Sequence, residues 1–158
     1  MGLERSRHRI AARMRAVLAG KGSLRTALRR RIGLEDGSFA SPPATEVLDT
    51  AERHGAGSDV ALFAGTTAAL LDAFVRVRSE IEAGNEAEAI NAGDLLLSLA
   101  FDEARAAGTD IFERTLAACI EWIESGEPDG LMRTAHAIGG IAAGASAERP
   151  RADGGDSR

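Results

Sequence analysis

The sequence predicts an all-α protein, a helical bundle of about six to seven helices. Three observations carry this. Apolar residues recur at three- and four-residue spacing through most of the chain, and no alternating run bounded by hairpin turns is present. Glycine and proline fall in clusters at the ends of those periodic stretches rather than inside them. Aromatic residues make up only 4% of the chain and tyrosine is absent, so the core is built from Ala, Leu, Ile and Val, a set suited to close helix packing.

Residues 4–32 read as helix, with Ile10, Met14, Val17 and Leu18 on one face of an otherwise charged segment. Gly20-Lys21-Gly22-Ser23 interrupts it, and Ser23 is the expected N-cap of a second helix, Leu24–Ile32, that stops at Gly33. Gly33, Gly37, Pro42 and Pro43 mark residues 33–43 as a loop. A short helix from Pro43 to His54 opens at Ser41 or Pro42 and closes at Gly55. After a turn at 55–58, Ser58 or Asp59 caps the longest helix, Val60–Ala83, with a break at Gly84-Asn85. Glu86–Ala107 follows, with Ile90, Leu95, Leu96, Leu97, Leu99 and Phe101 expected to be largely buried. Gly108 closes it, and Thr109 or Asp110 caps Ile111–Ser125, which carries Leu116, Cys119, Ile120, Trp122 and Ile123. Residues 126–130 form a turn before a last helix, Leu131–Ala145, rich in Ala and Gly. Its Gly139, Gly140 and Gly144 permit close helix approach and make it a candidate interface. The tail, 147–158, has nothing to bury and is expected to be disordered.

A chain of 158 residues suits one core. The organisation expected is a basic N-terminal helical arm (1–33), a helical core (34–146) and the tail. Charge is divided sharply. Residues 1–33 hold ten basic residues and one acid, and the remainder holds 9 basic and 23 acidic ones, so a segment of +9 precedes one of −14. Such an arm can bind an anionic ligand, a nucleic acid or an acidic partner, or it can fold onto its own acidic body. It lacks aromatic side chains to stack on bases, which argues against nucleic acid. Cys119 is the only cysteine, which excludes an intrachain disulfide and a cysteine-based zinc site, and it reads as a small buried hydrophobe. No uninterrupted apolar run approaches the roughly 18 residues of a membrane span. The basic N-terminus has no apolar stretch of a secretory signal, so a cytoplasmic location is expected. His8, His54 and His136 share no ligand spacing and read as surface or capping residues.

Five segments, in order, resemble the polyprenyl (isoprenoid) diphosphate synthase family. Gly20-Lys21-Gly22-Ser23-Leu24-Arg25 resembles its Gly-Lys-Gly-Leu-Arg-Pro motif, with one residue inserted and Thr26 in place of Pro. Leu70–Glu82 resembles the helix that carries its first aspartate cluster. Ala89-Ile90-Asn91-Ala92-Gly93-Asp94 resembles the segment that follows. Ala118–Asp129 resembles its Ala-Cys-Leu-Glu-Met-x-x-Gly-Gln-x-x-Asp segment, and Thr134–Ala145 the small-residue helix beyond its Lys-Thr-Gly, with Arg133 in place of the lysine. The likeness covers about residues 15–145, with deletions between segments. It implies part of the isoprenoid synthase fold.

The resemblance also implies what is missing. Active members hold Mg²⁺ on aspartate clusters. Where the first should read Asp-Asp-x-x-Asp, this chain reads Ser79-Glu80-Ile81-Glu82-Ala83. Two residues apart, Glu80 and Glu82 diverge by roughly 200° around a helix and cannot clamp one ion. The second cluster is expected to be lacking too. The expectation is therefore a truncated, non-catalytic member with no catalytic residues, no metal ligands and no cofactor, Mg²⁺ entering only if an active subunit completes the site. It would associate with itself or with a full-length prenyl synthase. Lys21 and Arg25 match the residues that hold a diphosphate in active members. Two alternatives keep that site: a subunit contributing it to a composite synthase, or a small binder of prenyl diphosphates. Phe74, Leu96, Leu97, Phe101 and Trp122 read as core rather than as the lining of a tunnel.

Overall fold

The computed structural model describes residues 2–79 and 86–147, and every element in those stretches is helical. Seven helices follow one another: α1 Gly2–Val17, α2 Ser23–Arg31, α3 Pro42–Arg53, α4 Ser58–Ser79, α5 Glu86–Ala107, α6 Thr109–Ser125 and α7 Asp129–Ala147. The all-α bundle predicted from periodicity is the fold observed. Glu80, Glu82, the break at Gly84-Asn85 and nearly all of the tail lie outside the described residues.

α4 is the organising element. It packs on α1, α3, α5 and α7, while α6 closes the other side against α5 and α7. Its middle is buried all round, from Ala64 to Phe74, because apart from Asp72 its side chains are small or apolar on every face. By length and composition α4 is the one described helix apolar enough to cross a membrane, with a mean hydropathy of 1.6, yet 72% of that window is buried inside the bundle. Its two interior threonines stay satisfied locally: Thr66 and Thr67 donate their hydroxyls to the carbonyls of Leu62 and Phe63.

Small residues let the helices approach. A Cβ on Gly65 of α4 would lie 2.6 Å from Ile10 Cδ1 and 3.2 Å from the Ala44 carbonyl oxygen, so α1 and α3 cross α4 at this point. Gly139 of α7 does the same on α3, where a Cβ would lie 3.0 Å from both the Cα and the carbonyl oxygen of Val47. The close approach expected of the glycine-rich helix is thus made within the bundle by Gly139. Gly139 is spent inside the bundle, while Gly140 and Gly144 are exposed with nothing within 4 Å of an added Cβ.

The basic N-terminal segment is part of this packing. Ile10, Met14 and Leu18 are almost fully buried. Arg13 forms a two-pronged pair with Glu103 of α5 at 3.0 and 2.6 Å, and Arg9 meets Glu52 of α3 at 2.6 Å. Three expected side-chain caps are not used. Gly22, not Ser23, is the N-cap of α2, and Gly108, not Thr109 or Asp110, is that of α6. Ser41 does stand at the N-cap of α3, but its hydroxyl donates to Asp72 of α4 at 2.8 Å instead of to its own helix. α5 also buries less than expected. Of its six large apolar residues only Leu96 is fully buried, because six such residues span more of the circumference than the neighbouring helices cover. The Cys119 thiol is buried as read, and burial pushes its pKa up to about 11.

Candidate functional site

Lys21 and Arg25 sit at the turn between α1 and α2. Lys21 is exposed. Arg25 donates to the Val17 carbonyl at 2.9 Å and to that of Ala19 at 3.3 Å, and Arg29, one turn later, reaches Leu18 at 2.6 Å and Gly20 at 3.0 Å. These are the carbonyls of the last residue of α1 and of the turn after it, which no further helical turn can satisfy. Two arginines of α2 thus cap α1 from outside, and they complement the negative end of its dipole. Arg25 is therefore engaged by backbone oxygens.

A second polar region lies on the other side of α2. A cavity of about 280 Å³ opens between the end of α2 (Arg30, Arg31), the following loop, and α4 (Ala69, Asp72, Ala73, Arg76, Val77). Asp72 is 5% exposed, yet it is fully engaged by the Ser41 hydroxyl and by Arg76, whose terminal and Nε nitrogens lie at 3.0 and 3.2 Å. The loop wall is held from several directions. Gly33 adopts a positive φ of 82°, where a Cβ would strike Ser38 Oγ at 2.3 Å, so only glycine fits. The Phe39 amide closes back on the Gly33 carbonyl at 2.9 Å, and Arg7 of α1 donates to the Phe39 carbonyl at 2.8 Å. Asp36 accepts from both the hydroxyl and the amide of Ser38, and these bonds lower its pKa.

The third feature is apolar. On α6, Leu116, Ile120 and Ile123 follow at spacings of four and three, so they share one face. They are 40%, 48% and 72% exposed. Ile90, Leu97 and Phe101 share one side of the adjoining α5, with Ile90 45% exposed. Phe101 meets Phe112 of α6 edge-on with ring centroids 6.0 Å apart, which joins the two stripes into one surface. Exposed acidic residues Asp94, Glu113 and Glu124 border it, and Arg105 stacks over Phe112 at one end. The apolar patterns of α5 and α6 were visible in sequence; which of their faces the bundle leaves uncovered was not.

His8, His54 and His136 are exposed, and they stand on three different elements. Among the described residues no group of three or more His, Cys, Asp or Glu side chains converges as metal ligands would. Comparison with protein-family models, curated proteins and solved structures finds no match.

Proposed function

We propose that this protein works by association: it is a non-catalytic relative of the isoprenoid diphosphate synthases that docks a partner protein on the α5–α6 face. The observation that carries this reading is the stripe Leu116–Ile120–Ile123, continued by Ile90, Leu97 and Phe101. Scattered apolar residues on a surface need no explanation, but a contiguous patch spanning two helices, rimmed by charge, is the usual form of an interaction site. The non-catalytic part of the reading rests on Ser79-Glu80-Ile81-Glu82-Ala83 standing where the resemblance implies metal-binding aspartates.

Charge chooses between the two partners that the sequence raises. A second copy would bring this face against itself, because a twofold interface is built from the same patch on both sides. Asp94, Glu113 and Glu124 would then border an interface whose other half carries the same three carboxylates against one rim cation, Arg105, and that excess of like charge disfavours pairing. A different protein presenting an amphipathic helix, apolar on one face with arginines or lysines beside it, meets both the stripe and its rim. The reading is thus of a heterologous complex, with a full-length synthase as the partner implied by the resemblance.

The test is the native mass of the complex from the source cell, for wild type and for the double variant Ile120→Glu, Ile123→Glu. Both side chains are exposed, so the variant folds and its circular dichroism is unchanged. The expected result is a wild-type complex with a stoichiometric second protein and a variant that runs as a single chain. A wild-type monomer, a mass of two identical chains, or a complex indifferent to the substitutions would each overturn the proposal.

A further inference from the structure

We propose that the partner enters the α5–α6 face as a single helix of about four turns, laid lengthwise between the two helices, and that Asp94, Glu113 and Glu124 read the positions of its arginines or lysines. This rests on the association reading and adds to it. A helix is accepted for where its charges stand, with two bases about eleven residues apart on one flank and a third midway on the other.

The argument starts from the register of α5 and α6. The two helices are joined at Gly108 and pack antiparallel, and the Phe101–Phe112 contact sets them level there. Counting away from that pair in opposite directions puts Leu97 level with Leu116 and Ile90 level with Ile123. Three apolar layers thus face each other across a valley, with Ile120 leaning in from α6. Ile90 and Phe101 are eleven residues apart, about 16 Å along the axis. That is three turns, so a helix of about four turns covers the valley from end to end. A flat partner surface would rest on the ridges of both helices and leave the valley floor unfilled.

The charges on the two rims are spaced for such a helix. Glu113 and Glu124 are eleven residues apart on α6, so three turns bring both to the same side. A docked helix has the same repeat, and two of its bases at that spacing lie on one flank and meet both carboxylates. Asp94 stands on the α5 rim, level with Cys119 of α6, which is six residues from Glu113 and five from Glu124. Five or six residues along a helix turn a side chain through roughly 120–140°, to the opposite flank, so one further base midway meets Asp94. All three carboxylates are exposed, and none has a side-chain hydrogen bond or ion pair among the described residues. Neighbouring charges do not cancel them. Arg105 stands beyond the Phe101–Phe112 layer, stacked on Phe112, and Glu86, one turn before Ile90, adds a further exposed carboxylate at the other end.

The experiment is fluorescence anisotropy of the full chain with two dye-labelled synthetic helices of about 16 residues. Both carry a leucine stripe and three lysines. One has the lysines at the flank positions given above, and the other has them on the face opposite the leucines. The flank peptide is expected to bind about tenfold tighter, and the gap should close in ~1 M salt. Glu113→Gln, Glu124→Gln and Asp94→Asn should each weaken it about two- to fivefold, the range of an exposed ion pair, and leave the other peptide unchanged. Asp102→Asn, an exposed change on α5 outside the valley, should alter neither. Equal binding of both peptides to wild type, with both lost in Ile120→Glu, Ile123→Glu, would overturn the positional inference and leave the face as a helix dock. Failure of both peptides to bind, or binding indifferent to the isoleucine substitutions, would overturn the association reading and this inference with it.

Discussion

Two adjacent glycines of α7 should respond in opposite ways to the same substitution. Gly139 faces α3, where a Cβ would lie 3.0 Å from Val47 Cα, 3.0 Å from its carbonyl oxygen and 3.3 Å from Thr50 Cβ. Two of these neighbours are backbone atoms, so the contact cannot be relieved by turning a side chain. α3 and α7 must separate by a few tenths of an ångström along a seam that also involves α4. Overpacking of this kind costs roughly 1–3 kcal/mol. Alanine in a helix interior returns about 1 kcal/mol relative to glycine, so Gly139→Ala should be destabilising by about 1 kcal/mol, with a ceiling near 2. At Gly140 nothing lies within 4 Å of the added atom, and only the helix term remains. Gly140→Ala should therefore stabilise by about 0.5–1 kcal/mol.

The quantity to measure is the difference between the two variants, roughly 2 kcal/mol, because it cancels whatever is common to the helix and to the unfolded chain. Urea unfolding followed by circular dichroism reads it as a gap between midpoints at constant m. For a chain of this size it corresponds to a separation of about 4–8 °C in Tm. If Gly139→Ala proved as stabilising as Gly140→Ala, the α3–α7 approach described above would be wrong. That seam would then not be the place where the glycine-rich helix is used.

The ion pair between α1 and α5 gives a second expectation. Arg13→Ala strands Glu103, whose side chain is only 6% exposed, and should cost about 3 kcal/mol, at the low end for a broken buried pair because Arg13 itself is 34% exposed. The paired replacement Arg13→Met, Glu103→Leu should recover most of that loss in the same urea titration. A third expectation concerns pH. The folded Cys119 thiol keeps its proton up to about 11, while the unfolded thiol releases it near the ordinary 9.0. Between those values the unfolded state holds fewer protons, so stability falls as pH rises, by at most about 2–3 kcal/mol, and no effect is seen below about pH 8. Comparing Cys119→Ser with wild type from pH 8 to 11 isolates this slope, and at pH 8 the native thiol should react with a disulfide reagent only as fast as the chain opens.

Much of the fold was legible because punctuation and periodicity agreed. Glu86–Ala107 has the same ends in sequence and structure, since Gly108 follows a long apolar pattern and halts it. The α6 terminus was equally plain, with Gly126 in the left-handed conformation that a helix end favours. Caps were less legible. Ser23, Ser41 and Thr109 all looked like N-caps, but a hydroxyl caps only when nothing better is within reach, and Ser41 had a buried carboxylate across the bundle. Asp72 was the clearest omission at the level of sites. It stands in the apolar run Leu70-Leu71-Asp72-Ala73-Phe74, with Arg76 one turn later, and an acid so placed must be paired if the helix is buried. That pattern was available in the sequence. The cavity beside it was not, because it depends on how the 32–40 loop returns over α4.

The same limit explains why the basic segment invited a ligand reading. Sequence shows how many arginines α1 and α2 carry but not which acceptors they meet. In the folded chain Arg7, Arg15, Arg25 and Arg29 donate to main-chain carbonyls, and Arg9 and Arg13 to carboxylates on α3 and α5. An excess of +9 over 33 residues is thus used largely to close helix ends and a loop, work done elsewhere by caps and turns. Guanidinium suits this because its fork reaches two acceptors at once and stays charged at any physiological pH. What distinguishes Asp94, Glu113 and Glu124 from these arginines is therefore geometry. They stand on the rims of an apolar valley, exposed and with no side-chain partner among the described residues. Charge alone marks a segment; a site needs charges that the fold leaves unanswered and turned toward open space.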